Sequence, residues 1–377
     1  MKPAILLLVF CVATAAFSAS PATAQAQNAS LSLFETLPSD RPPDQITKNS
    51  HYWISNEMRL DLFHDSVKDR GGVYIGVGSD QNYLLAGWAK SEVLVLMDFD
   101  RKIVDLHRVY NVAFRAATNK AEFLELWEES SSKELQELIK QGYSDKKTQK
   151  AALNAHRAAR KYISTRFRKV IRLMKKSNLP SFLTDDSQYD YIRGLFLNDK
   201  VFMVAGDLTA DVTVKAIAKA IEGANMHVGV LYLSNAEQYF SFRSGFSDNM
   251  LSLPSNKDSL VVRTNSWRYL SWVEGTEYHY NVQPLDNFKL FLKAKTVRDS
   301  GRMLHQATPD AILGVSHLDH PPLTGTELKK VKSKNRISRD VVAERGEIRR
   351  LRTEAREQRI AERKAKRAER RAQAAAE

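Results

Sequence analysis

Two glycines and a carboxylate twenty residues further on are the first residues whose types and spacing could do chemistry. Gly76 and Gly78 follow the short β-rich run 73–75, then come Ser79 and Asp80, and Asp98 ends the apolar run 93–97. Glycines at a strand's end let the backbone approach a ligand closely. A carboxylate about twenty residues on accepts hydrogen bonds from ribose hydroxyls. A dinucleotide fingerprint needs a third glycine near Gln81, and none is present. The shortened turn suits a nucleoside without a pyrophosphate, and S-adenosylmethionine is the candidate cofactor. The competing interpretation is a tight strand-to-helix turn beside an exposed aspartate. A second set stands at 234–238, where Asn235 and Glu237 follow the apolar run 227–233. They are candidates for substrate or cofactor contacts, or Asn235 caps a helix continuing through Tyr239 and Phe240.

These residues need a scaffold that brings strand ends together. The run 93–97 is apolar without alternation, as in a strand covered on both faces. Ser79 or Asp80 caps a helix over 81–88, with Leu84 and Leu85 on its buried side. Further strands are predicted at 201–205, 227–233 and 259–263, with a helix over 212–221. An antiparallel edge strand is expected at 278–283, and 288–292 is a candidate to pair beside it. Before the glycines, 52–64 has a partly periodic apolar pattern and is predicted helical. The pattern predicts an α/β fold: a doubly wound, mostly parallel, Rossmann-like sheet whose ligand crevice lies at the carboxyl ends of its strands. Between the second and third strands the periodicity is helical, over 104–114, 120–138 and 146–176. This gives a helical insertion at about 112–178.

The run GVYIGVGSDQNYLLAGWAKSEVLVLMDFDR resembles a family of uncharacterised bacterial proteins with an S-adenosylmethionine-dependent, class I methyltransferase-like fold. Ser55-Asn56-Glu57, VYNVAF with AEF at 109–123 and LYLSNAEQYF at 231–240 are similar too. The resemblance covers roughly 55–283. It implies the fold and an adenosyl site that includes Gly76, Gly78, Asp80 and Asp98, and it puts Asn56 and Glu57 before the glycine turn, facing the same crevice. The plainer interpretation of that pair is a helix cap and a surface charge. Phe99-Asp100-Arg101-Lys102 stands where the family has a more basic run.

The chain's ends differ from its middle. Residues 1–26 combine Lys2, an apolar run and small-x-small cleavage sites at 22–26, which predicts a signal peptide and an exported protein, periplasmic or extracellular. The single cysteine, Cys11, lies inside this leader, so no disulfide or thiolate metal site is expected. His317 and His320 flank Asp319, but two prolines follow and no further ligand is near, so no metal is predicted. Residues 27–48 read as a polar lead-in arm, and 27–328 as the α/β domain.

Charge is concentrated in two places. The segment 146–176 holds twelve Lys or Arg and no acid, on an amphipathic helix. The tail 329–377 holds eighteen basic and eight acidic residues and few large apolar ones, so it is a helical or disordered arm. Both are candidates to bind an anionic polymer or a membrane surface, and both are equally consistent with solvated charge. No specific nucleic-acid motif is present, and no stacking aromatics interleave the tail. Two functions follow. One is a methyltransferase-like protein that holds a nucleoside-type small molecule in the crevice. The other is a non-catalytic binding or scaffold protein on the same fold, working through its basic surfaces. Export bears on the choice, because S-adenosylmethionine is a cytosolic metabolite.

Overall fold

The computed structural model describes residues 31–46, 49–294, 297–309 and 314–376. The predicted signal peptide lies outside them. Five parallel strands form the centre: β1 (Val73–Val77), β2 (Val93–Asp98), β3 (Val201–Ala205), β4 (Val228–Ser234) and β5 (Leu260–Asn265). β6 (His279–Pro284) runs antiparallel to β5, and two short strands follow, β7 (Thr308–Pro309) and β8 (Ser316–His317). The order across the sheet is β3-β2-β1-β4-β5-β6-β8-β7. The chain runs outward from β1 to β3, then returns to lay β4 beside β1. The topological switch point, where such sheets bind ligands, is therefore between β1 and β4.

The unalternated apolar runs become strands buried on both faces, and their two-residue period divides them between two cores. Val73, Ile75, Val93, Val95 and Met97 enter one core, and Tyr74, Leu94 and Leu96 the other. Before β1 lie a short 3-10 turn, Leu60–Phe63, and α1 (His64–Val67). α2 (Gln81–Ala89) is buried along its whole length rather than on one side, because it is covered by the sheet on one flank and by α7 (Asp186–Leu197) on the other. α3 (Arg101–Ala116), α4 (Lys120–Leu126), α5 (Ser132–Gly142) and α6 (Lys146–Ser177) complete the helical region between β2 and β3. On the other face lie α8 (Thr213–Gly223), α9 (Ser244–Ser252) and α10 (Leu285–Lys293). α11 (Ser300–Leu304), α12 (Gly325–Lys334) and α13 (Arg339–Ala376) end the chain.

Several sequence expectations change. Residues 52–59 are irregular rather than helical, and only 60–67 are helical. The predicted helix 120–138 breaks into α4 and α5 around a turn at 127–131. Residues 288–292 lie within α10 and not in a strand, because Phe288, Phe291 and Leu292 fall at helical spacing onto the second core. β6 is not an edge, since β8 pairs with it. The lead-in arm is docked. Asp40 is buried, accepts from the backbone N–H groups of Asp207, Val212 and Thr213, and so closes the open start of α8.

The entry to β1 depends on a backbone approach. A Cβ built on Gly229 of β4 would lie 1.9 Å from the Gly71 carbonyl oxygen. Gly229→Ala must push the two strand entries apart, and we expect a loss of about 2–3 kcal/mol in urea unfolding. A loss under about 0.5 kcal/mol, within the range of ordinary surface changes, would show that the entry yields freely.

Candidate functional site

A crevice of about 320 Å³ opens at the carboxyl ends of β1 to β4. That is within the size range of small-molecule sites. Val77 and Gly78 contribute from β1, Met97 to Asp100 from β2, Gly206 and Asp207 from β3, and Ser234 and Asn235 from β4. Tyr52, Ile54, Ser55 and Asn56 of the irregular segment before α1 complete the lining.

The turn after β1 is held by its own side chains. Gly78 has φ +94°, a left-handed conformation that suits glycine, and a Cβ there would strike the Gln81 side chain. Gln81 Nε2 donates to the Val77 carbonyl, and Gln81 Oε1 accepts from the Ser79 N–H. Asn82 Nδ2 donates to the carbonyls of Val77 and Ser79. His107 braces the turn from α3: Nε2 is 2.8 Å from the Gly78 carbonyl and Nδ1 is 2.7 Å from the Tyr83 hydroxyl. Burial pulls the His107 pKa down to about 4. The neutral ring therefore donates through Nε2–H to the carbonyl and accepts a hydrogen bond from the Tyr83 hydroxyl at Nδ1. Much of the Gly-Ser-Asp-Gln-Asn run thus builds the loop rather than contacting a ligand.

The predicted residues separate on inspection. Gly78, Asp98 and Asn235 line the crevice. Asp98 is buried at the end of β2, where Oδ2 accepts from the Gly78 N–H at 3.1 Å and Oδ1 from the Asp100 N–H at 2.8 Å. Burial pushes its pKa up to about 7. The Asp100 N–H opposes this, the Asp100 charge reinforces it, and the Gly78 N–H opposes it again. Asn235 does not cap the 3-10 turn Ala236–Tyr239 that follows it, and its amide lies 3.5 Å from the Tyr278 hydroxyl.

Gly76, Asp80 and Glu237 do not line this crevice. A Cβ on Gly76 would lie 2.1 Å from Asn82 Oδ1, so that glycine makes room for the Tyr74–Asn82 hydrogen bond. Asp80 precedes α2 but makes no side-chain cap to it. Its Oδ2 pairs with Arg166 Nε at 2.9 Å, both side chains being almost fully buried, and its Oδ1 accepts from the Ser55 N–H. Glu237 forms a buried ion pair with Arg263 at 2.7 Å. Burial raises the Glu237 pKa, and the arginine's charge acts against that rise.

Sequence reasoning missed how Glu57 and Arg166 organise the floor beside the crevice. Glu57 is 1% exposed and takes hydroxyl hydrogen bonds from four residues, Ser55, Tyr232, Ser234 and Thr264. Asn56 beside it faces the crevice. Arg166 comes from the middle of the basic helix α6 and donates to the Glu57 carbonyl as well as to Asp80. It falls on the helical stripe of Ile163, Phe167 and Val170, which is the signal that could have found it. Among the described residues, Arg160 and Arg168 of α6 also form ion pairs, with Glu129 and Glu128, and most of the helix's other cations face solvent.

The described residues contain no group of three His, Cys, Asp or Glu side chains placed to hold a metal. His320 turns its ring nitrogens to the carbonyls of Pro321 and Gln306. No described helix is long and apolar enough to cross a membrane. Compared with known families, residues 52–319 match a domain of unknown function (DUF7790), and the chain belongs to that family. No curated protein matches the chain.

Proposed function

We propose that this member of the DUF7790 family holds an adenosine-type nucleoside in the β1/β4 crevice, with S-adenosylmethionine as the ligand of a methyltransferase-like site. The observation that carries this reading is the pairing of Gly78 with Asp98 across the carboxyl ends of β1 and β2, next to the switch point. The carboxylate lies at the crevice wall, and each oxygen keeps acceptor capacity beyond its one backbone hydrogen bond. In this reading Asp98 accepts from the ribose hydroxyls. Phe99, Ile103 and Leu208 give an apolar slot for the base, and Asp207 offers an acceptor at its rim. The strand order 3-2-1-4-5 followed by an antiparallel strand is compatible with it. S-adenosylmethionine would supply an electrophilic methyl group. The chain's own part is alignment, with Asn235 and Tyr239 at the mouth orienting an acceptor.

Calorimetric titration of residues 27–377 with S-adenosylmethionine and S-adenosylhomocysteine tests this. We expect binding that Asp98→Ala weakens by about tenfold or more, the effect of losing hydrogen bonds to a charged acceptor. No heat and no thermal shift at millimolar ligand would overturn it. The second reading, a non-catalytic protein working through its basic surfaces, would then take its place. It is favoured by the solvent-facing cations of α6, and it agrees better with export, which rests on residues 1–26 alone.

A further inference from the structure

The basic arm does more than extend from the domain. Asn335, at the end of α12, donates to the carbonyls of His305 and Ala307, both at 3.0 Å, and fixes α12 against α11. Arg345 of α13 donates to the carbonyls of Arg268 and Leu270 and lies 4.1 Å over the Trp272 ring. Arg349 donates to the Ser266 carbonyl, and Arg352 pairs with Glu277. The first turns of the arm are thus docked on the segment 266–277. Between the arm and that segment is a groove of about 530 Å³.

The groove's chemistry is one-sided. Arg302, Lys332, Arg336 and Arg339 line it, with Trp267 and Tyr269 as an aromatic wall, and none of its lining residues is acidic. Asp299 reaches Arg302 at 3.4 Å. Among the described residues, Lys332, Arg336 and Arg339 have no ion pair. The wall is built: Trp267 packs edge-on to Tyr269 and His305, and Gly301 leaves the space its indole fills. Burial, and then the charge of Lys332, lowers the His305 pKa, so this ring is a poor source of further positive charge in the groove. Four cations around one concavity repel one another unless an anion joins them. Guanidinium groups match phosphate oxygens in geometry as well as charge.

We propose that this groove between the docked arm and the 266–277 segment is a binding site for a phosphate group carrying at least two negative charges, such as a phosphomonoester or pyrophosphate. The site stands apart from the nucleoside crevice and does not depend on what that crevice binds. The phosphate can belong to a soluble ligand or to a lipid headgroup.

The test uses residues 27–377 and inorganic pyrophosphate, followed by calorimetry and by intrinsic tryptophan fluorescence. Two double variants each remove two positive charges. K332Q/R336Q removes two of the four groove cations, and K364Q/K366Q alters exposed lysines further along the arm. All four side chains lie at the surface, and thermal melts check that both variants fold. We expect submillimolar binding that K332Q/R336Q weakens by about tenfold or more and K364Q/K366Q leaves within about twofold, because only converging charge-assisted bonds are removed. Failure of the wild type to bind at millimolar pyrophosphate overturns the site. So does equal weakening in both variants, which would reduce the effect to net charge, and so does no weakening in either. Sedimentation with phosphatidate and phosphatidylcholine vesicles separates the sources. Pyrophosphate-sensitive binding to phosphatidate that K332Q/R336Q loses assigns a lipid headgroup, and pyrophosphate binding without vesicle binding assigns a soluble ligand.

Discussion

Arg166→Met is expected to lower the unfolding free energy by about 3–5 kcal/mol, the usual cost of stranding one partner of a buried ion pair. The two side chains are 4% and 3% exposed, and the contact is 2.9 Å. Burial pulls the arginine's pKa down, and the Asp80 charge and hydrogen bond more than restore it, so the guanidinium stays charged. Removing it leaves Asp80 with only the Ser55 N–H and the Ser79 hydroxyl to offset its desolvation. The Glu57 carbonyl loses a donor in the same step. The damage therefore reaches the segment 52–59 and the glycine turn together. Adding Asp80→Asn removes the stranded charge and should return about 1–2 kcal/mol of the loss. Urea unfolding of the wild type, both single variants and the double variant completes the cycle. A loss below about 1 kcal/mol in Arg166→Met would mean that water reaches Asp80 and that the pair behaves like a surface one.

That ion pair also shows what the sequence could convey. The strands around the crevice were legible because parallel strands covered on both faces leave unbroken apolar runs, as at 93–97 and 228–233. Gly78 and Asp98 were legible through their spacing, which a β-α-β unit imposes. The short segments were not. Residues 52–59 carry apolar side chains at near-helical intervals, yet they form no helix, and Glu57 meets hydroxyls on β4 and β5 instead. Tyr232, Ser234 and Thr264 lie about two hundred residues from Glu57 in sequence, and no local pattern announces that meeting. Tertiary pairing likewise decides the fate of two acids predicted for the crevice. Asp80 and Glu237 follow strand ends, but each turns to a buried arginine, Arg166 of α6 and Arg263 of the neighbouring strand β5. Position at a strand end is a property of the local sequence, whereas side-chain direction depends on what packs against it.

Asp98 is where fold stability and the proposed ligand chemistry meet, and its pH dependence should be large. An ordinary aspartate ionises near 3.8, and burial pushes this one up to about 7. Between those values the unfolded chain has released the proton while the folded chain still holds it. The folded state then binds more protons, so stability falls as pH rises through this window and levels off above about 7. Asp98→Asn cannot titrate. It loses one backbone acceptor at every pH, which sets a constant offset, but its stability relative to the wild type should climb by about 2–3 kcal/mol from pH 5 to pH 8. Urea unfolding of the two proteins at matched pH gives that difference directly, with contributions from other carboxylates cancelling. The same ionisation governs the ribose contact. A carboxylate that accepts hydroxyl protons should hold S-adenosylhomocysteine more tightly as pH rises from 6 to 8, by up to about tenfold, one pH unit's worth of ionisation. Asp98→Asn should bind weakly with no such slope. A flat stability difference would show that Asp98 is already ionised at pH 5, with the N–H groups of Gly78 and Asp100 outweighing its burial. A stability slope without any slope in binding would place the carboxylate at the crevice wall but remove it from the ligand contact.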